Sequence, residues 1–272
     1  MKISVIISVY KNIPALKTIL DALKLQSYRN FDIVISEDGE DPAMANFIAS
    51  YPFEQAYQHL TQPDLGWRKN KALNAAIRAA KGDWLIFIDG DSVPHPRFVE
   101  MHRRYAKEGV FLGGKRVKLC QKQSDELMAN PKDVLPKLSK KIFGLALFHN
   151  NRQERFLEEA FFLSPKGLWA WIPKIRKVHH LVGANMSMSK KALEAINGFN
   201  EDYQLPAIGE DIDLQWRLEG MGYKLRSLRS LAIQYHLSHK ENWHDQSVNA
   251  NIFEQERKAG RLVCRNGLQK LS

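Results

Sequence analysis

A doubly wound α/β fold, with a mostly parallel, twisted sheet and helices on both faces, is what this sequence predicts. Three observations carry that expectation. Short apolar runs alternate with segments of helical periodicity through the first 90 residues. The runs show little polar alternation, as strands covered on both faces require. They also end in polar clusters, and open α/β sheets bind ligands outside the carboxyl ends of their strands.

The first strand is the continuous apolar run Ile3 to Val9. Ile13 to Leu25 follows as a helix, with Leu16, Ile19, Leu20 and Leu23 at helical spacing. Phe31 to Ile35 is a second strand, ending in Ser36-Glu37-Asp38-Gly39. Pro42 to Ala49 reads as a short helix and Ala56 to Leu60 as a weak strand. Lys69 to Ala80 places Leu73, Ala76, Ile77 and Ala80 on one helical face. Trp84 to Ile88 is a third buried strand, running straight into Asp89-Gly90-Asp91.

The pattern changes after Cys120. Residues 121–180 mix proline, lysine and aromatic clusters, and predict one or two helices and a loop packed over the sheet edge. Regular order returns at Gly183 to Ser189, followed by helices at Lys190 to Ile196 and Glu210 to Glu219. Ser230 to Tyr235 is expected as a closing strand, and the polar tail beyond Lys240 as helical around Asn251 to Lys258.

At 44% hydrophobic and 26% charged residues, the 272-residue chain can bury a substantial core as one large domain or two small ones. Forty Lys+Arg against 30 Asp+Glu leave +10 at pH 7. That charge favours anionic partners without choosing among nucleic acid, phosphorylated metabolites and an acidic membrane face. Two cysteines, Cys120 and Cys264, are too few for a disulfide framework and lack metal-ligand spacing, which fits thiols in a reducing cytosol. Met1 to Tyr10 reads as a strand rather than a signal peptide, being β-branched and followed directly by an amphipathic segment. No stretch reaches the ~18 apolar residues of a spanning helix. A cytoplasmic protein is expected, free or peripheral on the inner face of the membrane.

Four clusters can carry chemistry. Asp89 and Asp91 leave a strand on the same side, so both carboxylates can face one site; oxygen ligands with open positions suit Mg²⁺ or Mn²⁺. The bland alternative is a turn, for which Asp-Gly-Asp-Ser is well suited. Glu210 and Asp211 begin a helix, where capping explains acidic residues. With Asp213 there are three acids in four residues, more than capping requires, and one aimed into a cleft can act as a general base. Arg68, Lys69 and Lys71 lie at a helix start that already favours anions, the alternative being a solvated basic face. His236 and His239 follow a strand, as metal ligands or as structural histidines. Acidic pairs with basic helix starts together describe a nucleoside diphosphate held by a metal.

The order of these motifs resembles the family 2 glycosyltransferases of the GT-A fold, over most of residues 2 to 240. The matching stretches are SVIISVYKN, SEDG, KALNAAIRAAKGDWLIFIDGD, VGANMSMSKKALEAINGFNE and GEDIDLQWRLEGMG. The resemblance implies that Ser8, Val9 and Tyr10 border the uracil and ribose of a UDP-sugar and that Asp38 hydrogen-bonds the base. It assigns Arg68 and Lys69 to the uridine or diphosphate, and Asp91 to a divalent cation, Mn²⁺ or Mg²⁺. Asp89 supports ribose or metal, and His236 completes the metal site. Asp211 becomes the catalytic base, with Glu210 orienting the acceptor. Leu73 stands where many members carry an arginine, and no R/Q-x-x-R-W follows the acidic motif, so transfer of one sugar is favoured over processive synthesis.

These assignments imply an inverting displacement at the anomeric carbon, onto a hydroxyl of a saccharide or lipid-linked acceptor. Residues 1–119 are expected as the nucleotide-sugar-binding half, 120–240 as the acceptor-side half of the same domain, and 241–272 as a tail. Within the variable region 121–180, Trp169 and Trp171 are candidate sugar-stacking platforms, with core packing expected for at least one. The basic and aromatic character there also permits peripheral contact with anionic lipid. A sugar nucleotidyltransferase would share the sheet and the metal, but "SVYKNIP" lacks that class's Gly-rich basic loop. A nucleic-acid binder would account for the charge and leave the acids unexplained.

Overall fold

The computed structural model describes residues 1–148, 156–206, 208–240 and 245–271. β1 (Ile3–Val9) alternates its side chains between two cores: Val5 and Ile7 enter one, Ile6 the other, each fully buried. That is why the run is apolar at both parities. α1 (Ile13–Lys24) starts at Asn12, whose Oδ1 accepts from the Ala15 N–H at 3.2 Å, and brings Leu16, Ile19, Leu20 and Leu23 onto the first core. β2 (Asp32–Glu37), α2 (Pro42–Ser50) and β3 (Tyr57–Leu60) continue the winding. α3 (Lys69–Ala79) covers the opposite face through Leu73, Ala76 and Ile77. β4 (Trp84–Asp89) then returns beside β1.

Next come β5 (Ser92–Pro94), α4 (Phe98–Tyr105), β6 (Val110–Gly113) and β7 (Val117–Lys118). α5 (Gln121–Ala129) and α6 (Pro131–Phe148) follow. A 3₁₀ turn at Leu157–Ala160 precedes the short α7 (Ile172–Ile175), and another at Gly183–Asn185 leads into β8 (Met186–Ser189). The chain closes with α8 (Lys190–Ala195), α9 (Asp211–Gly220), β9 (Lys224–Ser227), β10 (Gln234–His236) and α10 (Ser247–Lys258). Among the described residues no helix is long and apolar enough to cross a membrane.

The main sheet has seven strands in the order β3-β2-β1-β4-β8-β6-β9. All neighbours are parallel except those of β8, which runs against both β4 and β6. The expected mostly parallel α/β sheet is therefore observed. A small second sheet, β5-β10-β7, stands beside its carboxyl rim.

Three expectations are corrected. β6 and β9 are strands that the sequence pattern leaves unassigned, each only four residues long. α5 and α6 pack on the α1 face rather than over the sheet edge, because Leu127, Leu135, Leu138 and Ile142 join that core. The closing strand is only Gln234–His236: Leu231 and Ala232 both donate backbone N–H bonds to Leu228 O at 3.0 Å, a turn whose apolar side chains are buried.

Candidate active site

Parallel register sets the strand exits side by side. Ser8 of β1 pairs with Ser36 on β2 and with Asp89 on β4. The exits open onto one cleft of about 580 Å³. β1 supplies Ser8, Val9 and Tyr10, β2 supplies Asp38, α3 supplies Lys69, and β4 supplies Asp89, Gly90 and Asp91. A Cβ on Gly90 would stand 2.8 Å from the carbonyl oxygen of Ser8, so a glycine is what lets the two exits approach.

Lys69 joins this rim to the acidic motif. Its Nζ lies 2.6 Å from Asp89 Oδ1 and 2.7 Å from Glu210 Oε1. Two asparagines of the same helix hold the contact in place. Asn70 Nδ2 donates to Asn200 O and Gly209 O at 2.7 and 2.9 Å, and Asn74 exchanges two bonds with the backbone of Phe199. Burial pushes the Glu210 carboxyl up to about 7; the Lys69 cation opposes the shift, while Asp89 and Asp211 add to it. Burial also lifts Asp211 above the usual range, against a 3.3 Å bond from the Gly183 N–H and the pull of Lys69. A Cβ on Gly183 would run into the Glu210 carboxylate, so that glycine makes the seat.

A second cluster forms where β10 crosses β5. His236 pairs with Ser92, the residue after Asp91. Asp91 Oδ2 lies 3.4 Å from His236 Nε2 and 3.1 Å from His239 Nε2, and one ligand atom from each of the three lies within 4.8 Å of the others. His239 Nδ1 is 3.0 Å from Lys240 O. A carbonyl only accepts, so this partner assigns the hydrogen to Nδ1 and leaves the Nε2 lone pair of a neutral ring facing a carboxylate. Such a contact repels unless a proton or a cation lies between the atoms. Burial opposes ionisation of Asp91, yet the two histidines outweigh it and hold the carboxyl well below the usual range.

Other expected residues are placed differently. Arg68 does not line the cleft: its guanidinium donates to Pro63 O at 2.6 Å and its backbone N–H to Asp38 Oδ2 at 2.8 Å. Asp38 also accepts from Gln62 at 2.6 Å, so both oxygens already brace the 62–68 loop. Asp89 lies outside the Asp91–His236–His239 group, drawn to Lys69. Trp169 and Trp171 are 57% and 53% exposed, and neither enters the core or lines the cleft. Residues given no role by the sequence pattern also stand here: Asn12 and Trp67 line the cleft, and Arg116 Nη1 lies 4.0 Å from Asp89 Oδ2. Arg116 follows β6, so recognising that strand would have placed it at a strand end.

Comparison with known proteins agrees with this fold. Residues 4–196 match the family described as Glycosyl transferase family 2, and residues 173–240 that described as the N-terminal domain of galactosyltransferase. Validoxylamine A glucosyltransferase of Streptomyces hygroscopicus subsp. jinggangensis is 25% identical over 262 residues, covering 92% of this chain and 60% of that protein. Hyaluronan synthase of Pasteurella multocida is 23% identical over 92% of this chain and 26% of the synthase. The chain thus spans no more than 60% of the length of these two relatives. Among solved structures, mannosyltransferase PcManGT from Pyrobaculum calidifontis, in complex with GDP-Man and Mn²⁺, superposes with a TM-score of 0.58 at 16% identity, over 96% of this chain and 64% of that one. S. aureus TarS in complex with UDP-GlcNAc gives 0.56 at 14%, over 89% and 60%. With its main match covering well over half its length and its sheet shared with these neighbours, the chain belongs to glycosyl transferase family 2 and has the GT-A fold.

Proposed function

We propose that this protein transfers one sugar from a nucleoside-diphosphate sugar, a UDP-sugar, to a hydroxyl of a saccharide or lipid-linked acceptor, inverting the anomeric carbon. The observation that carries the reading is the Asp91–His236–His239 group, of which Asp91 and His239 line the cleft, together with a raised carboxyl pair at the α9 N-terminus that Lys69 ties to the same rim. Support also comes from the neighbours solved with GDP-Man, Mn²⁺ and UDP-GlcNAc, and from a relative named for hyaluronan synthesis. Residues 1–119 form most of the donor side and 120–240 the acceptor side. The free cysteines fit a cytoplasmic location.

Asp91, His236 and His239 fit a divalent cation, and two imidazoles with one carboxylate suit Mn²⁺ better than Mg²⁺. Bound there, the cation supplies Lewis-acid stabilisation of the departing diphosphate. Ser8, Val9 and Tyr10 border the nucleoside, with the remaining lone pairs of Asp38 toward the base. Lys69 keeps Asp89 and Glu210 at fixed separation, and Glu210 orients the acceptor. Asp211 takes the acceptor's proton as the hydroxyl attacks opposite the diphosphate; its raised pKa brings it nearer the optimum for a general base.

Thermal-shift measurements with UDP- and GDP-sugars, with and without Mn²⁺, test the reading. A UDP-sugar with Mn²⁺ at about a hundred times its Kd stabilises the native state by about 2.7 kcal/mol. Asp91→Ala and His239→Ala remove the Mn²⁺-dependent part. A shift unaltered by chelator and by both substitutions rejects the metal assignment, and no shift with any nucleotide sugar rejects the donor class.

A further inference from the structure

Large apolar side chains on the described surface are mostly scattered, as is ordinary. Residues 168–175 are the exception: within eight positions Leu168, Trp169, Trp171 and Ile175 are exposed by 86%, 57%, 53% and 64%. The segment is not loosely held. Its backbone closes on itself through bonds from Ala170 to Gly167, Ile172 to Trp169, Lys174 to Trp171 and Arg176 to Ile172, all 3.0–3.2 Å. Its foot is fixed by buried Pro173 and Val178 and by an ionic cluster. Arg176 donates to Glu158 O, Ser230 Oγ and Glu159 Oε1, and Arg229 donates to the same buried Glu159 oxygen. The apolar turn therefore projects from an anchored base.

Within the segment itself the charge has one sign. From Phe161 to His180 there is no aspartate or glutamate, against Lys166, Lys174, Arg176, Lys177 and two histidines. Arg176 is committed to Glu159, which leaves three exposed lysines beside the apolar side chains. Tryptophans with flanking lysines suit the headgroup level of a bilayer, where the ring is buried and the ammonium meets lipid phosphate.

We propose that this turn docks the protein on an anionic phospholipid surface, with Leu168, Trp169, Trp171 and Ile175 entering the headgroup boundary and Lys166, Lys174 and Lys177 meeting the lipid phosphates. Ile175 lies eight residues before Gly183, whose N–H binds Asp211, so even a fully extended chain keeps the two within about 29 Å. Docking thus holds the acidic pair near the lipid surface.

Co-sedimentation of the full chain with vesicles decides the matter. The protein should pellet with vesicles of equal parts phosphatidylcholine and phosphatidylglycerol, and stay in solution with phosphatidylcholine alone. Replacing Lys166, Lys174 and Lys177 together by Gln should lower partitioning on the order of 100-fold, and Trp169→Ala with Trp171→Ala at least tenfold. Both variants should keep the wild-type melting temperature, since the replaced side chains lie outside the core. Binding indifferent to phosphatidylglycerol, or unchanged in either variant, overturns the proposal. Nucleotide-sugar thermal shifts need no vesicles, so failure of the donor reading and failure of this one are told apart.

Discussion

Asp211 and Asp213 sit two residues apart on α9 and meet opposite surroundings. Asp213 is fully buried and fully partnered: Arg217 reaches it through Nε at 2.8 Å and Nη2 at 2.6 Å, and Tyr203 Oη donates at 3.2 Å. The same guanidinium donates to Ile196 O and Gly198 O, both at 2.8 Å, and so clamps α9 to the turn after α8. Asp211 is half-buried, holds a 3.3 Å bond from Gly183, and is pushed toward its protonated form. Glu210 beside it is pushed to about 7 despite touching Lys69. The carboxylate that the fold uses as a strut thus has partners at both oxygens, whereas Asp211 and Glu210 are left where ionisation is costly. Unfavourable ionisation of this kind marks groups with capacity for chemistry.

The largest effect that would sharpen this contrast is on turnover. Asp211→Asn should lower sugar transfer by about 10²–10⁴-fold, read as UDP release, with nucleotide binding intact. Transfer that survives the substitution would return Asp211 to helix capping.

Asp213→Ala should act on the other side of the contrast. It leaves Arg217 charged and unpaired in the interior, at a cost of about 3–5 kcal/mol by denaturant unfolding. A loss below about 1 kcal/mol would remove the distinction between strut and site.

The smallest expected effect concerns Glu210 and carries a pH sign. A folded pKa raised from 4.5 to about 7 means stability is fully present below pH 4.5 and lost as pH rises through 7. Glu210→Gln escapes that loss, so it should be more stable than wild type at pH 8, by up to about 3 kcal/mol. The difference should vanish below about pH 4, where the carboxyl is protonated in both the native and the unfolded state. A variant less stable at pH 8 would show that the Lys69 contact outweighs burial.

How far the sequence carried depended on the range of the interactions involved. β1, β2 and β4 were legible because each is a buried run bounded by turn residues, and their acidic exits followed from topology. β6 and β9 were not, because four residues carry too little period to distinguish a strand from a loop. In α3, Asn70 and Asn74 lie within a helix whose apolar face was clear, yet their clamp on residues 199–209 has no local signature. Arg68 read as a cleft cation, and the structure turns its guanidinium to Pro63. Nothing in the order of neighbours could separate Asp213 from Asp211, since both are acids in the first turn of one helix.

Local pattern by itself determined the parallel sheet, its winding, and which strand ends carry acids, because side-chain period and turn chemistry are properties of adjacent residues. Only tertiary structure decided which acids became struts and which faced the cleft. Asp213 needs a guanidinium braced by carbonyls of the turn after α8, and Asp91 needs two histidines delivered by the β5–β10 register. The free energy of a buried charge is set by partners that the chain brings from far away, and no stretch of sequence holds those partners together until it folds.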